Sequence, residues 1–334
     1  MQAGIGLLSI SMADNIPAKK RRGRPRKNPI DAGVDSPRPT TPVPPVPPVP
    51  QVAASPPGPV ISGKSKGVQI VLQKSDCIPA MRSLAPGSID LVVTSPPYNL
   101  GIAYNSYKDT LSDQAYLDWS MQWMAEVNRV LKPDGALFLN VGASPKDPLM
   151  PHRLILRATE LFVLQNTFHW IKSITVETIE KEIISAGHFK PINSQRYVND
   201  CHEFVYHLTK KGDLPVDRRA VGVPYVHKSN INRWGHTDGE DKRCRGNAWF
   251  VPYKTIVSRD KERPHPATFP VQLAENCILI HGKKSQTVMM DPFVGIGHAA
   301  VAAVQCKVKK FIGYDIDDDY LTQARHTLGL VEDV

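Results

Sequence analysis

The 334-residue chain is 41% hydrophobic, holds five cysteines and carries a formal charge of +9. That apolar content supports a sizeable core, and no charge-free apolar run reaches the roughly 18 residues of a membrane span, so no membrane partner is expected. The cysteines, at 77, 201, 244, 277 and 306, form no C-x-x-C pair, which argues against structural zinc and for reduced thiols inside a cell.

The first apolar run, "MQAGIGLLSISM", lacks a basic region before it and is a poor secretory signal. Residues 1–67 hold ten Lys/Arg against three Asp, so +7 of the +9 net charge lies here. "KKRRGRPRKNP" is a basic run and "PRPTTPVPPVPPVP" a proline tract; residues 1–66 lack the apolar content to fold alone. The prolines favour an extended polyproline II spacer, with an SH3-type ligand as the other reading.

Near residue 67 the texture changes. "GVQIVLQ" reads as a strand, "CIPAMRSL" as a short helix and "SIDLVVT" as a buried parallel strand. Residues 112–131 repeat Tyr116, Trp119, Trp123, Val127 and Val130 at helical spacing, with Ser112 or Asp113 as the cap and "KPDG" as the stop. "ALFLNV" is a strand, "RLILRATELF" a helix, and "VLQNTFHWIK" and "HEFVYHL" are strands. Residues 210–263 are irregular and polar, a poor core but a reasonable recognition insert. After it come the helix "PVQLAENCILIH", the strand "QTVMMDPF", the helix "HAAVAAVQCK", the strand "KFIGYDID" and the helix "DDYLTQARHTL". This alternation predicts a doubly wound, Rossmann-like, mostly parallel α/β domain over 67–330.

Two strand-end loops carry the chemistry. "TSPPYN" follows the strand at 89–94, and "DPFVGIG" (Asp291 to Gly297) follows the strand near 288. Gly295 and Gly297 permit a tight turn and close ligand approach. Asp315, about 20 residues on at the end of the next strand, suits ribose hydroxyls, while Asp317 to Asp319 can cap the helix after it. No Walker lysine or G-x-G-x-x-G is present, which points to a nucleoside carried without phosphates; S-adenosylmethionine is such a ligand.

Together these loops resemble the amino-group DNA methyltransferases. "TSPPYN" is similar to their catalytic motif, "DPFVGIG" to their cofactor loop and "HPATFP" (His265 to Pro270) to the segment closing over the methionine part of the cofactor. Catalytic loop first and cofactor loop last is the permuted order of the β class. "LKPDGALFLNVG", "HWIK" and "HEFVYHLTK" extend the resemblance over about 67–330. The family's cofactor loop continues Gly-Ser-Gly-Thr; here Ile296 and His298 replace the two hydroxyls. The resemblance implies S-adenosylmethionine as cofactor, with Asp291, Phe293, Gly295, Gly297, Asp315, Asp76, His265 and Phe269 around it. For Asp76, capping of the helix after it is the competing reading.

An exocyclic amine is a weak nucleophile because its lone pair is delocalised into the ring. The Ser95 side chain and Pro96 carbonyl can accept from its N–H bonds, and Pro96 and Pro97 hold the loop stiff. A base in double-stranded DNA reaches this loop only by flipping out, and Tyr98 can stack on it, worth roughly 1–3 kcal/mol. Within the family, serine at 95 favours cytosine N4 over adenine N6. Cytosine C5 chemistry needs a Pro-Cys nucleophile, and no Pro-Cys pair occurs. The substitutions Ile296 and His298 motivate a third reading, an inactive DNA-binding member.

"RGRP" (Arg22, Gly23, Arg24, Pro25) resembles an AT-hook, suited to a narrow A·T-rich minor groove. A nuclear import signal or nonspecific basic arm reads the same residues, and either way the nucleus is the expected address. In the 210–263 insert, Arg233, Arg243 and Arg245 interleave with Tyr225 and Trp234, which makes them candidate DNA contacts, with a solvated loop as the other reading. Monomer and homodimer both fit the sequence.

Overall fold

A computed structural model describes residues 58–178, 180–187, 194–231, 239–252, 268–282 and 286–330. In chain order the strands are β1 (Val60–Ser65), β2 (Val68–Lys74), β3 (Ile89–Thr94), β4 (Leu131–Val141), β5 (Val163–Ile171), β6 (Ile174–Glu177), β7 (Ile183–Ala186), β8 (His202–Thr209), β9 (Ala248–Phe250), β10 (Val288–Asp291) and β11 (Lys310–Asp315). The helices are α1 (Cys77–Arg82), α2 (Asp113–Val130), α3 (Met150–Ala158), α4 (Val271–His281), α5 (His298–Gln305) and α6 (Asp318–Leu328).

Nine strands form one sheet in the order β1-β2-β11-β10-β3-β4-β8-β5-β9, and β6 with β7 makes a separate hairpin. From β2 to β4 the strands are parallel. Beyond β4, β8 and β5 pair antiparallel, and β1 is antiparallel to β2. Helices α1 to α3 pack one face, around Trp123 and Met81; α4 to α6 pack the other, around Phe311 and Ala274. Both faces of β3 are therefore covered, which is why "IDLVVT" is almost continuously apolar.

Between β10 and β3 the winding reverses, because β10 leads through α5 to β11 on one side and β3 leads through α2 to β4 on the other. Such a switch point opens a crevice at the carboxyl ends of the two strands. Helix α2 starts where Ser112 Oγ accepts from the Ala115 N–H at 3.3 Å, and its stripe of Tyr116, Trp123, Val127 and Val130 is buried.

Two boundaries differ from the sequence reading. Residues 60–65 are not tail: β1 hydrogen-bonds along β2 from Val60↔Gln73 to Ser65↔Val68. The 210–263 insert contributes core as well: β9 runs parallel to β5, and Trp249 is fully buried against Phe168, with ring centroids 4.2 Å apart. The basic run of the tail lies outside the described residues.

On β8, His207 is buried, stacked 4.4 Å from Phe138, with Nδ1 3.0 Å from Asn166 Nδ2. Burial, reinforced by His281, depresses its pKa to about 4. An unfolded chain protonates this ring near its ordinary value of about 6.5 and the folded one does not. Its contribution is complete above pH 6.5 and is lost as pH falls toward 4, up to about 3 kcal/mol. The difference in urea midpoint between wild type and His207→Gln should narrow or reverse between those pH values; a constant difference would refute the assignment.

Candidate active site

The ends of β3 and β10 are joined by side chains. Thr94 Oγ1 donates to Asp291 Oδ1 at 2.6 Å, and the Phe293 N–H donates to the same oxygen at 3.0 Å. Ser95 to Tyr98 and Pro292 to Ile296 then line one cleft, of about 1020 Å3 including its open mouth. The two loops that the sequence pairs do meet.

The catalytic turn is anchored beneath by Tyr116, whose hydroxyl donates to the Pro97 carbonyl at 2.9 Å. After it the chain makes a loop, 99–111, tied around Asp109. That buried carboxylate accepts from the N–H groups of Asn99, Leu100 and Ile102 at 2.8, 3.0 and 3.1 Å. The Asn99 side chain exchanges two hydrogen bonds with the Leu111 backbone, closing the loop at its base. Tyr104, Ser106 and Tyr107 from this loop line the cleft, and Ser106 Oγ donates to Asp317 Oδ2 at 2.7 Å across it.

The glycine turn is held by Asp315, whose Oδ2 accepts from the Gly295 N–H at 2.8 Å and Oδ1 from the Asp317 N–H at 2.9 Å. Asp317 caps α6 through Tyr320 N–H, so Asp315 is not needed as the cap. Gly297 has φ +89°, and a Cβ there would lie 3.0 Å from that of Ala324; it shapes the turn but does not line the cleft. Asp291 corrects its expected place: at 1% exposure it sits behind the cleft as a brace. Burial pushes its carboxyl up to about 7 and that of Asp315 up to about 6.

Asp76 lines the cleft and also caps α1, its Oδ1 accepting from the Ile78 N–H at 2.8 Å, so both readings hold. Phe269 and Phe293 line it too, with Phe293 wedged against Trp119 and Trp123 at 5.7 and 5.3 Å. His298 Nδ1 lies 2.6 Å from the Phe269 carbonyl, a contact that pins residues 268–270 to α5. Where the family has a hydroxyl, this chain has an imidazole that ties two loops together. His265 lies outside the described residues, as do Arg22, Gly23, Arg24, Pro25, Arg233 and Trp234.

Of the expected DNA contacts, Arg243 and Arg245 do not line the cleft. Arg243 lines a second cavity with Arg218, Arg219, Lys242, Asp134 and His281. Asp134 lies near the amino end of β4, in the irregularity between its pairs at Leu131 and Ala136, and His281 ends α4, so this cavity lies at the amino ends of the parallel strands, away from the cleft. Arg245 lines neither cavity.

Sequence reasoning missed a polar group beside the catalytic turn. Tyr98 Oη is 2.5 Å from Ser95 Oγ, donates to Glu203 Oε2 at 3.1 Å and accepts from Asn140 Nδ2 at 2.6 Å. Lys172 Nζ reaches Glu203 Oε1 at 3.1 Å. These residues fall within "LFLNVG", "HWIK" and "HEFVYHLTK", but nothing in those strings shows that they converge.

Among its described residues the cleft has Asp76, Asp315 and Asp317 and no Lys or Arg. Carboxylates and aromatic walls without a cation suit a positively charged nucleoside and repel phosphate. S-adenosylmethionine, a sulfonium, fits that lining.

A DNA methylase family model of the N6/N4 type matches residues 89–326. The chain belongs to this family of amino DNA methyltransferases. Its cofactor is S-adenosylmethionine. The chain is 29% identical over 254 residues to the type II methyltransferase M.HpaI of Haemophilus parainfluenzae, spanning 76% of this chain and 72% of that one. It is 22% identical over 251 residues to the DNA adenine methyltransferase YhdJ of Escherichia coli, spanning 74% and 78%. The PvuII cytosine-N4-specific DNA methyltransferase shares the fold, with TM-score 0.58, 20% identity and coverage of 82% and 92%.

Replacing Asp109 removes the acceptor of three backbone N–H groups. In Asp109→Ala, amide exchange over 99–111 should accelerate by about 100-fold, from a loss near 3 kcal/mol. Unchanged protection there would mean the loop is held by something else.

Proposed function

We propose that this enzyme methylates the N4 amine of a cytosine flipped out of double-stranded DNA. The observation that carries it is Ser95 at the head of the catalytic turn, with its Oγ at the cleft beside Tyr98. A hydroxyl and the Pro96 carbonyl accept from the two amine N–H bonds, drawing the nitrogen lone pair out of the ring. Stiffness matters here: with both prolines and the Tyr116 anchor in place, the acceptors need no reorganisation as charge develops. Bound S-adenosylmethionine supplies an electrophilic methyl group. Asp315 is the ribose acceptor, Asp76 sits toward the adenine edge, and Phe293 forms a wall.

The adenine N6 reading stays as the second, favoured by the relationship to an adenine methyltransferase. In the tail, Arg22 and Arg24 fit a minor-groove arm and a nuclear address, a reading that rests on sequence alone.

Incubation with labelled S-adenosylmethionine and unmethylated mixed-sequence duplex, followed by nucleoside digestion, should place label in N4-methylcytidine. Label in methyladenosine would overturn the base assignment, and label nowhere would overturn the enzyme reading. Ser95→Ala should reduce turnover by about 100-fold or more while cofactor affinity is kept.

Cofactor affinity should also depend on pH. The ionised Asp315 accepts from ribose hydroxyls through charge-assisted bonds, and protonation leaves only a weaker neutral acceptor, so binding weakens as pH falls below about 6, by at most tenfold per unit. Calorimetry on wild type and Asp315→Asn tests this. The variant should bind at least about tenfold more weakly above pH 6, with that acidic limb gone. An identical limb in the variant would exclude Asp315.

A further inference from the structure

We propose that Glu203 is the terminal proton acceptor of methyl transfer, reached from Ser95 through Tyr98. It rests on the amine-methylation reading above and supplies the base that reading lacks. When nitrogen forms its bond to the methyl carbon, the carbon–sulfur bond breaks with its electron pair left on sulfur. Nitrogen is then one proton in excess, and that proton must leave for the amine to become neutral. Ser95 is the nearest hydroxyl, but serine alone holds no surplus proton at neutral pH.

Donor counting gives the chain a direction. Asn140 Nδ2 can only donate, and it lies within reach of Tyr98 Oη (2.6 Å), Glu203 Oε2 (2.7 Å) and, at the limit, Ser95 Oγ (3.4 Å). Tyr98 Oη is therefore an acceptor from Asn140, and its single proton can go to Glu203 Oε2 at 3.1 Å. Either hydroxyl can donate in the remaining contact, 2.5 Å between Tyr98 Oη and Ser95 Oγ, and the relay uses the arrangement in which serine donates. The sequence Ser95 O–H to Tyr98 O–H to Glu203 carboxylate leaves lone pairs of Ser95 Oγ available to the cleft. As the amine proton moves to Ser95 Oγ, the serine proton moves to Tyr98 and the tyrosine proton to Glu203. The products are a neutral methylated amine and one carboxyl group.

The surroundings fix this path. Lys172, just after β5, holds the other carboxylate oxygen at 3.1 Å, and His202 and Tyr104 are the further titratable groups within electrostatic reach. Gly142 packs so closely that a Cβ there would lie 3.0 Å from the Tyr98 ring and 3.2 Å from Glu203 Cγ. Glu203 and Lys172 side chains are 11% and 16% exposed, enough for the far end to release its proton to water between turnovers. Glu203 acts through Tyr98 and is a positioning and relay residue.

Single-turnover methylation across a pH series tests it, with full-length protein, labelled S-adenosylmethionine and unmethylated mixed-sequence duplex. With S-adenosylmethionine saturating at every pH, Glu203→Gln should slow the chemical step by about 100-fold and remove the acidic limb of the rate profile, with cofactor affinity by calorimetry unchanged. Tyr98→Phe, which keeps the ring and cuts the middle link, should do the same, and the double variant should be no slower than either. Glu203→Asp should restore part of the rate. An active wild type with Glu203→Gln and Tyr98→Phe within about threefold of its rate and sharing its acidic limb overturns the relay alone. A wild type that binds cofactor and labels no nucleoside overturns the methylation reading and the relay with it. If Glu203→Gln does not fold, Tyr98→Phe decides.

Discussion

The hydrogen bond from Thr94 to the buried Asp291 fixes the geometry on which the site depends. The backbone alone joins β10 to β3 thinly, with only Met289↔Leu91 and Met290↔Val92 in register, whereas β11 and β2 pair over six positions. A switch point needs the strand ends to part so that a ligand can enter. It also needs them not to drift, since in the proposed function the methyl donor is held by one loop and the amine by the other. One side-chain bond at 2.6 Å satisfies both demands. Its cost is a buried carboxyl, and burial moves that group's pKa up to about 7, so that much of it is neutral where a lone carboxylate would be fully charged.

What the sequence made legible follows from locality. The alternation of strands and helices, the α2 stripe and both strand-end loops are contiguous strings, and each string carries its own geometry. Short or edge elements were not legible. β1, "VISGKS", follows a proline tract and alternates exposed with half-buried residues, so it resembles linker until β2 pairs with it. β9 is three residues long, and only Trp249 betrays that its segment enters the core. Asn140, Lys172 and Glu203 were invisible as a group because β4, β5 and β8 bring them together; Tyr98 and Glu203 are 105 residues apart. Arginine content singled out Arg243, and only the fold places it at the amino ends of the parallel strands, away from the cleft.

The replaced hydroxyls at 296 and 298 bear on whether the fold still works. The turn itself is defined by backbone: Gly295 N–H on Asp315, Gly297 with positive φ, and Val294 N–H on the Tyr314 carbonyl. None of these uses the residues that changed. Ile296 is nearly buried, and His298 replaces a small hydroxyl with a bond to the Phe269 carbonyl. In this chain the imidazole at 298 therefore adds a tether between two loops, and the carboxylates of the cleft are untouched. An inactive descendant would have no reason to keep a polar chain converging on Ser95.

The placement of charge gives the last step. A cleft lined by Asp76, Asp315 and Asp317 favours a sulfonium and disfavours every phosphate of a duplex. The polyanion is thus drawn to basic surface elsewhere on the chain, and the backbone of DNA is discouraged from the place where the chemistry occurs. Only an uncharged part of the substrate can enter, and the uncharged part of a nucleotide is its base. Extrusion costs a few kcal/mol. In the proposed function the aromatic ring of Tyr98 offsets part of that cost, and its hydroxyl is already held by Asn140 and Glu203, so the ring has little freedom to lose. Repulsion of the backbone and a pre-set surface for the base are two halves of the same selection: the site accepts a heterocycle delivered on its own and rejects the chain that delivers it.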